Sequence, residues 1–245
     1  MSAISSVTPS ATVALTACIF DVDGVLLASP HERAWRDALR GIADPERFTT
    51  AMYQAQVAGK PRAAGALAAL QALGVPDAQF EASAYADRKQ ARLEELIHTG
   101  TIAAFPDALR FVAAVHALGW PMAVASSSKN ANDMMRPIRL PSGQSLLDVF
   151  TVNVCGRDLA RGKPDPEIFL IAAAELRVLP ATCCVIEDAP AGIEAARSGG
   201  MTGLGVARLG DAGSLAAAGA TLVVTSLDQV AIDPLAHGRL ERRSP

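Results

Sequence analysis

An α/β architecture follows from the pattern of apolar residues in this chain: a doubly wound parallel sheet, with an all-helical segment inserted after its first strand. Two observations carry that expectation. Short apolar runs rich in β-formers alternate with helical patterns over most of the chain, whereas residues 30–105 show helical patterns and no convincing strand. Strands that alternate with helices lie in a parallel sheet covered on both faces. The expected division is a Rossmann-like α/β core of residues 1–28 and 106–245 with a helical cap over 29–105. The two connections fall near 27–30 and 100–106.

Residues 13–20 form an apolar run that ends abruptly at Asp21, as a buried strand would. Further strands are expected at 121–126, 151–154, 182–187, 203–206 and 222–224. Pro106 suits the first position of a helix on which Phe111, Val115 and Leu118 share a face. A second helix opens at Asp165-Pro166, where Asp165 can cap and Pro166 needs no hydrogen-bond partner. A third runs from Gly192 to Arg197 and stops at Gly199-Gly200. Within the insertion, helical patterns cover 31–39, 63–73 and 80–97, and Trp35 with Leu39 is expected in its core. The polar, basic stretch 236–245 is expected to be mobile.

Composition narrows the function. The chain has 245 residues, half of them apolar, and a formal charge of −3. That charge offers no field to attract nucleic acid or an anionic membrane. Residues 1–12 read as a loose tail without the charged and apolar regions of a signal peptide. No run approaches the ~20 apolar residues that cross a bilayer. A cytoplasmic monomer with neither nucleic-acid nor membrane partners is expected. Cys18, Cys155, Cys183 and Cys184 lack zinc-type spacing and read as small core residues in a reducing compartment.

Ligands of an open parallel sheet bind beyond the carboxyl ends of its strands. The polar residues expected there are Asp21-Val22-Asp23-Gly24, Ser126-Ser127-Ser128 and Glu187-Asp188, with Lys163 preceding a helix. Crowded carboxylates repel one another and call for a cation. Oxygen ligands without His or Cys select magnesium over zinc. Magnesium and a lysine together suit a phosphate dianion. A carboxylate held beside that phosphate can act as nucleophile, and a second one two residues on can serve as acid and base. A calcium loop is the alternative for the first motif, but Val25-Leu26-Leu27 supplies no further side-chain oxygen.

These residues resemble the four motifs of the haloacid dehalogenase superfamily, in order. They are Phe20-Asp21-Val22-Asp23-Gly24-Val25-Leu26, Ala125-Ser126-Ser127-Ser128, Gly162-Lys163-Pro164, and Ile186-Glu187-Asp188-Ala189-Pro190-Ala191-Gly192-Ile193. The resemblance implies Asp21 as nucleophile and Asp23 as general acid and base, with Ser126 and Lys163 gripping the phosphoryl group. It implies magnesium held by Asp21, the Asp23 backbone carbonyl and Asp188, with Glu187 as a further metal residue. Asp23 also sets the chain apart from dehalogenase and phosphonate-cleaving members, which lack a carboxylate there.

Within the superfamily the chain looks most like the β-phosphoglucomutase-like group, through His31-Glu32-Arg33-Ala34-Trp35, Gly59-Lys60-Pro61-Arg62, Arg88-Lys89-Gln90 and Ser126-Ser127-Ser128-Lys129-Asn130. That likeness implies a small sugar phosphate as substrate. It implies Arg62, Ser128 and Asn130 at a distal phosphate, Ser127 beside them, and His31 and Lys89 at the junction of cap and core. A sugar phosphomutase is the implied activity and a sugar-phosphate phosphatase the alternative. The chain departs from that group in a short link from Asp23 to His31 and an irregular stretch over 136–145. A phospho-accepting signalling receiver would also use an aspartate, magnesium and a lysine, but would have no use for Asp23.

Overall fold

The computed structural model describes residues 13–100 and 102–244, so the tail over 1–12 lies outside the described residues. The strands are β1 (Ala17–Phe20), β2 (Leu27–Ala28), β3 (Ala103–Ala104), β4 (Met122–Val124), β5 (Val152–Asn153), β6 (Cys183–Glu187), β7 (Thr202–Val206) and β8 (Leu222–Val224). Six of them form one parallel sheet in the order β5-β4-β1-β6-β7-β8. The helices are α1 (His31–Ala38), α2 (Thr50–Gln56), α3 (Arg62–Ala72), α4 (Ala78–Thr99), α5 (Pro106–Ala117), α6 (Ala131–Met135), α7 (Glu167–Leu176), α8 (Pro190–Ser198), α9 (Ala212–Ala217) and α10 (Ile232–Ala236).

Both faces of the sheet are buried, and its side chains alternate between two clusters as the pleat requires. Cys18, Phe20, Cys184 and Ile186 face Phe111, Val112 and Val115 of α5. Ala17, Ile19, Cys183 and Val185 face Ile168, Phe169 and Ala172 of α7 and Ala195 of α8. All four cysteines are free and buried. Among the described residues no helix is long and apolar enough to cross a membrane.

The insertion packs a core of its own around Trp35, Leu39, Phe48, Leu70 and Tyr85. The Tyr85 hydroxyl donates to the Trp35 carbonyl at 2.9 Å, tying α4 to α1. Its two connections pair as a short antiparallel ribbon, Leu27 opposite Ala104 and Ala28 opposite Ala103. Two-residue strands are too short to leave a periodic signal, which is why no strand is expected there from sequence. The short helix α2, opened by Thr49 accepting from the Met52 N–H at 3.2 Å, likewise escapes the pattern.

Three expectations need correction. Pro166 is the residue before α7 rather than its first, and Asp165 accepts from the Glu167 N–H at 3.0 Å. Helix α8 begins at Pro190, two residues ahead of Gly192, because proline needs no partner at that position. Residues 239–243, after α10, are tied down rather than loose. Ala231 N–H donates to the Glu241 carbonyl at 3.0 Å and Arg243 N–H to the Gln229 carbonyl at 2.7 Å.

Candidate active site

In sequence order the sheet grows from β1 first to one side, through β4, and then to the other, through β6. Connections therefore diverge above the carboxyl end of β1, and the resulting crevice is where such sheets bind ligands. Asp21 follows β1 directly, Ser126 lies two residues past β4, and Glu187 ends β6. The expected motifs converge there. Lys163 Nζ lies 2.6 Å from Asp21 Oδ1 and 2.6 Å from Glu187 Oε1, and its side chain is fully enclosed. Glu187 Oε2 accepts from the backbone N–H groups of Asp188 and Ala189, each at 3.1 Å.

Glycines make room for these acids. At Gly192 a Cβ would stand 2.0 Å from the Glu187 carboxylate carbon, and at Gly24, where φ is +82°, it would stand 1.9 Å from Asp188 Oδ2. Oxygens of Asp21, Glu187 and Asp188 lie within 4.8 Å of one another. Three carboxylates meet a single ammonium, so negative charge is left over. Burial, with Glu187 and Asp23 beside it, outweighs Lys163 and pushes Asp21 up to about 8. Burial and the Glu187 and Asp21 charges push Asp188 up as well. Burial disfavours the Lys163 charge, but Asp21 and Glu187 outweigh it and hold the lysine protonated.

Asp23 sits apart from that cluster. Its Oδ2 accepts from Ser126 Oγ at 3.3 Å, its Oδ1 lies 3.5 Å from His31 Nε2, and that buried Oδ1 has no hydrogen-bond partner among the described residues. Ser126 Oγ in turn accepts from the Ser128 N–H at 3.1 Å. Lys89 Nζ lies 3.1 Å from His31 Nδ1, while Ser128 Oγ lies 3.4 Å from His31 Nε2.

A cavity of about 340 Å³ opens over these groups. Of the residues expected at the site, Asp21, Asp23, His31, Arg62, Lys89, Ser126, Ser127, Ser128 and Asp188 line it. Lys163 and Glu187 lie beneath them, both buried. Asn130 stands off the wall, its Oδ1 accepting from Gln90 at 3.4 Å. Trp35, expected in the core, is core and wall at once, with Lys89 Nζ 4.9 Å from its ring centroid.

Tyr53, Lys60 and Arg157 also line the cavity and were not singled out from sequence. Tyr53 lies on α2, which the apolar pattern does not reveal. Lys60 stands inside Gly59-Lys60-Pro61-Arg62, so its place beside Arg62 was the one available signal. Neither Lys60 nor Arg62 forms an ion pair among the described residues.

The loop carrying these cations rests directly on the crevice. The Gly59 carbonyl accepts from Ser127 Oγ at 3.2 Å, and a Cβ at Gly162 would stand 1.9 Å from Pro61 Cγ.

Known proteins resemble this chain in sequence and in fold. The chain is 33% identical over 240 residues to a beta-phosphoglucomutase of Mycobacterium bovis, covering 87% of this chain and 90% of that one. It is 31% identical to a phosphorylated carbohydrates phosphatase of Thermotoga maritima, over 86% of this chain and 94% of the relative. A solved beta-phosphoglucomutase from a Pyrococcus species superposes with a TM-score of 0.69 at 29% identity, over 91% of this chain and 99% of that structure. The family model for haloacid dehalogenase-like hydrolases matches residues 15–200, which includes all four motifs. This chain is therefore an enzyme of the haloacid dehalogenase-like hydrolase family, in its β-phosphoglucomutase-like group.

Proposed function

We propose that this enzyme is a sugar phosphomutase that works through a phosphorylated Asp21. The reading is supported by two sets of cations beside one cavity. Asp21, held by Lys163 from beneath, lines the same cavity as Lys60 and Arg62, two cations of the insertion that form no ion pair among the described residues. A mutase needs both sets, because its bisphosphate intermediate must be held by either phosphate. In this reading residues 29–105 act as a cap domain over a core of 1–28 and 106–245.

Lys163 engages Oδ1 of Asp21, which leaves Oδ2 to attack phosphorus. As that bond forms, the ester P–O bond breaks and Asp23 gives its proton to the leaving oxygen. Ser126 and Lys163 hold the phosphoryl oxygens as the charge on them changes. In the second half, Asp23 takes a proton from the incoming sugar hydroxyl. That oxygen attacks phosphorus, and Asp21 leaves as a carboxylate. Ser127, Ser128, His31 and Lys89 line the cavity and orient the sugar.

The donor set fits magnesium. Asp21 and Asp188 offer carboxylate oxygens in a cluster that contains no His or Cys, and the Asp188 side chain makes no hydrogen bond among the described residues. Asp21, the Asp23 backbone carbonyl and Asp188 would hold the ion. The Glu187 oxygens already accept three hydrogen bonds, so Glu187 serves the site chiefly by orienting Lys163. When bound, magnesium supplies positive charge to the phosphoryl oxygens.

A sugar-phosphate phosphatase is the second reading, favoured by Asn130, whose amide is turned to Gln90 and leaves the distal end with fewer ligands. The test supplies β-glucose 1-phosphate and magnesium with a trace of the 1,6-bisphosphate. Accumulation of glucose 6-phosphate supports the mutase, and free glucose with phosphate supports the phosphatase. Asp21→Asn should lower either activity by at least about a thousandfold. An Asp21→Asn enzyme as active as wild type would sink both.

A further inference from the structure

One enclosed cation takes no part in the reaction above. Arg208 lies two residues beyond β7 with its side chain 13% exposed. Its Nε donates to the Gly24 carbonyl at 2.9 Å and one terminal nitrogen donates to the Val25 carbonyl at 3.1 Å. The other terminal nitrogen donates to Asp107 Oδ2 at 3.1 Å, and the guanidinium lies 3.7 Å from the centroid of the Phe105 ring. Asp107 Oδ2 accepts as well from Ser226 Oγ at 3.0 Å and from the Leu227 N–H at 2.7 Å.

The turn after Asp23 leaves that work to be done. Its own amides reach other carbonyls: Gly24 N–H reaches Leu27, while Leu26 N–H and Leu27 N–H reach Val22, each at 2.9 Å. The carbonyls of Gly24 and Val25 are left to Arg208. A guanidinium satisfies both and its carboxylate partner in one plane, whereas an ammonium on a flexible stem does not reproduce that fork. Phe105, under the guanidinium, marks the re-entry of the chain from the insertion, and its N–H donates to the Leu26 carbonyl at 2.9 Å. One side chain therefore fixes the peptide that follows Asp23 against the sheet and against the foot of the helical insertion.

We propose that Arg208 is a positioning residue for Asp23, holding the Gly24–Val25 peptide so that the Asp23 carboxyl meets the leaving oxygen of the ester. This role rests on the assignment of Asp21 and Asp23 given above. It has a consequence that a purely structural role lacks. A misplaced acid slows only those esters whose leaving group needs a proton; p-nitrophenolate departs unaided, and phenolate does so far less readily.

The test measures first-turnover release of the phenol from phenyl phosphate and from p-nitrophenyl phosphate, with magnesium, for the full chain. Arg208→Lys should slow phenyl phosphate at least about tenfold and p-nitrophenyl phosphate by less than about threefold. Asp107→Asn, which keeps the carbonyl bonds and removes the charge partner, should give the same pattern with smaller loss and covers the case of a poorly folded Arg208→Lys. Equal losses on both esters in a folded variant would reduce Arg208 to scaffold and overturn the proposal. Release from either ester that persists at the wild-type rate in Asp21→Asn would instead overturn the Asp21 reaction, and this role with it.

Discussion

The ammonium nitrogen of Lys89 stands 3.1 Å from Nδ1 of His31. Burial lowers Lys89 to about 8, so near neutrality it still carries its proton and can only donate. Nδ1 of His31 must then accept, which leaves the ring proton on Nε2, facing Asp23 and Ser128. A residue of α4 thus sets the tautomer that the proposed acid–base group meets.

Burial, with Lys89 adding to it and Asp23 opposing, lowers His31 from 6.5 to about 4. An unfolded chain takes up a proton below 6.5 that the folded ring refuses until about 4. The stability this gives is complete above the upper value and lost as pH falls through the lower one. In protein stripped of metal, His31→Gln should remove on the order of 2–3 kcal/mol from the decline measured over that range. Parallel stability-against-pH curves for the two proteins would rule this out.

The carboxylates act in the opposite sense. Asp21 folded holds a proton up to about 8 that it releases near 3.8 when unfolded, so stability without metal falls as pH rises. A divalent ion replaces that proton. Magnesium should therefore raise the melting temperature more at pH near 8 than near 6.5. An increment independent of pH would mean that the ion relieves no crowding among these acids.

Lys163 separates stability from chemistry. Lys163→Met leaves Asp21 and Glu187 buried without their cation, at a cost of about 3–5 kcal/mol in urea unfolding. Adding Glu187→Gln should recover part of that stability and none of the activity. If the single variant unfolds like wild type, the buried triad contributes nothing to folding.

Gly24→Ala should weaken magnesium about tenfold, as changes next to metal ligands do, because its new methyl displaces Asp188. Gly41 is the control, with φ +81° and no atom within 4 Å of the place its methyl would take, so Gly41→Ala carries backbone strain alone. Calorimetric titration with magnesium should show the weakening in the first variant only. Equal affinity in both would free Asp188 of any dependence on Gly24.

The site was legible because its chemistry is written in short segments. Asp21-Val22-Asp23-Gly24 and Glu187-Asp188 each follow an apolar run, and a parallel sheet gathers such strand ends along one edge. The long helices of the insertion were legible too, through their apolar faces. The ribbon of β2 and β3 was not, since two residues hold no period, nor was the mooring of residues 239–243, which depends on backbone pairing with Gln229 and Ala231.

Local order along the chain was enough to specify the alternation of strands and helices, the helical insertion and the acids at the strand ends, because each of these rests on periodicity or on neighbours a few residues apart. Only folding in three dimensions decided that Asn130 turns to Gln90, that Tyr53 and Lys60 join the cavity, and that Arg208 reaches back 184 residues to Gly24. Those outcomes depend on the direction of side chains brought together from distant segments, and such directions are set by packing that no local pattern encodes.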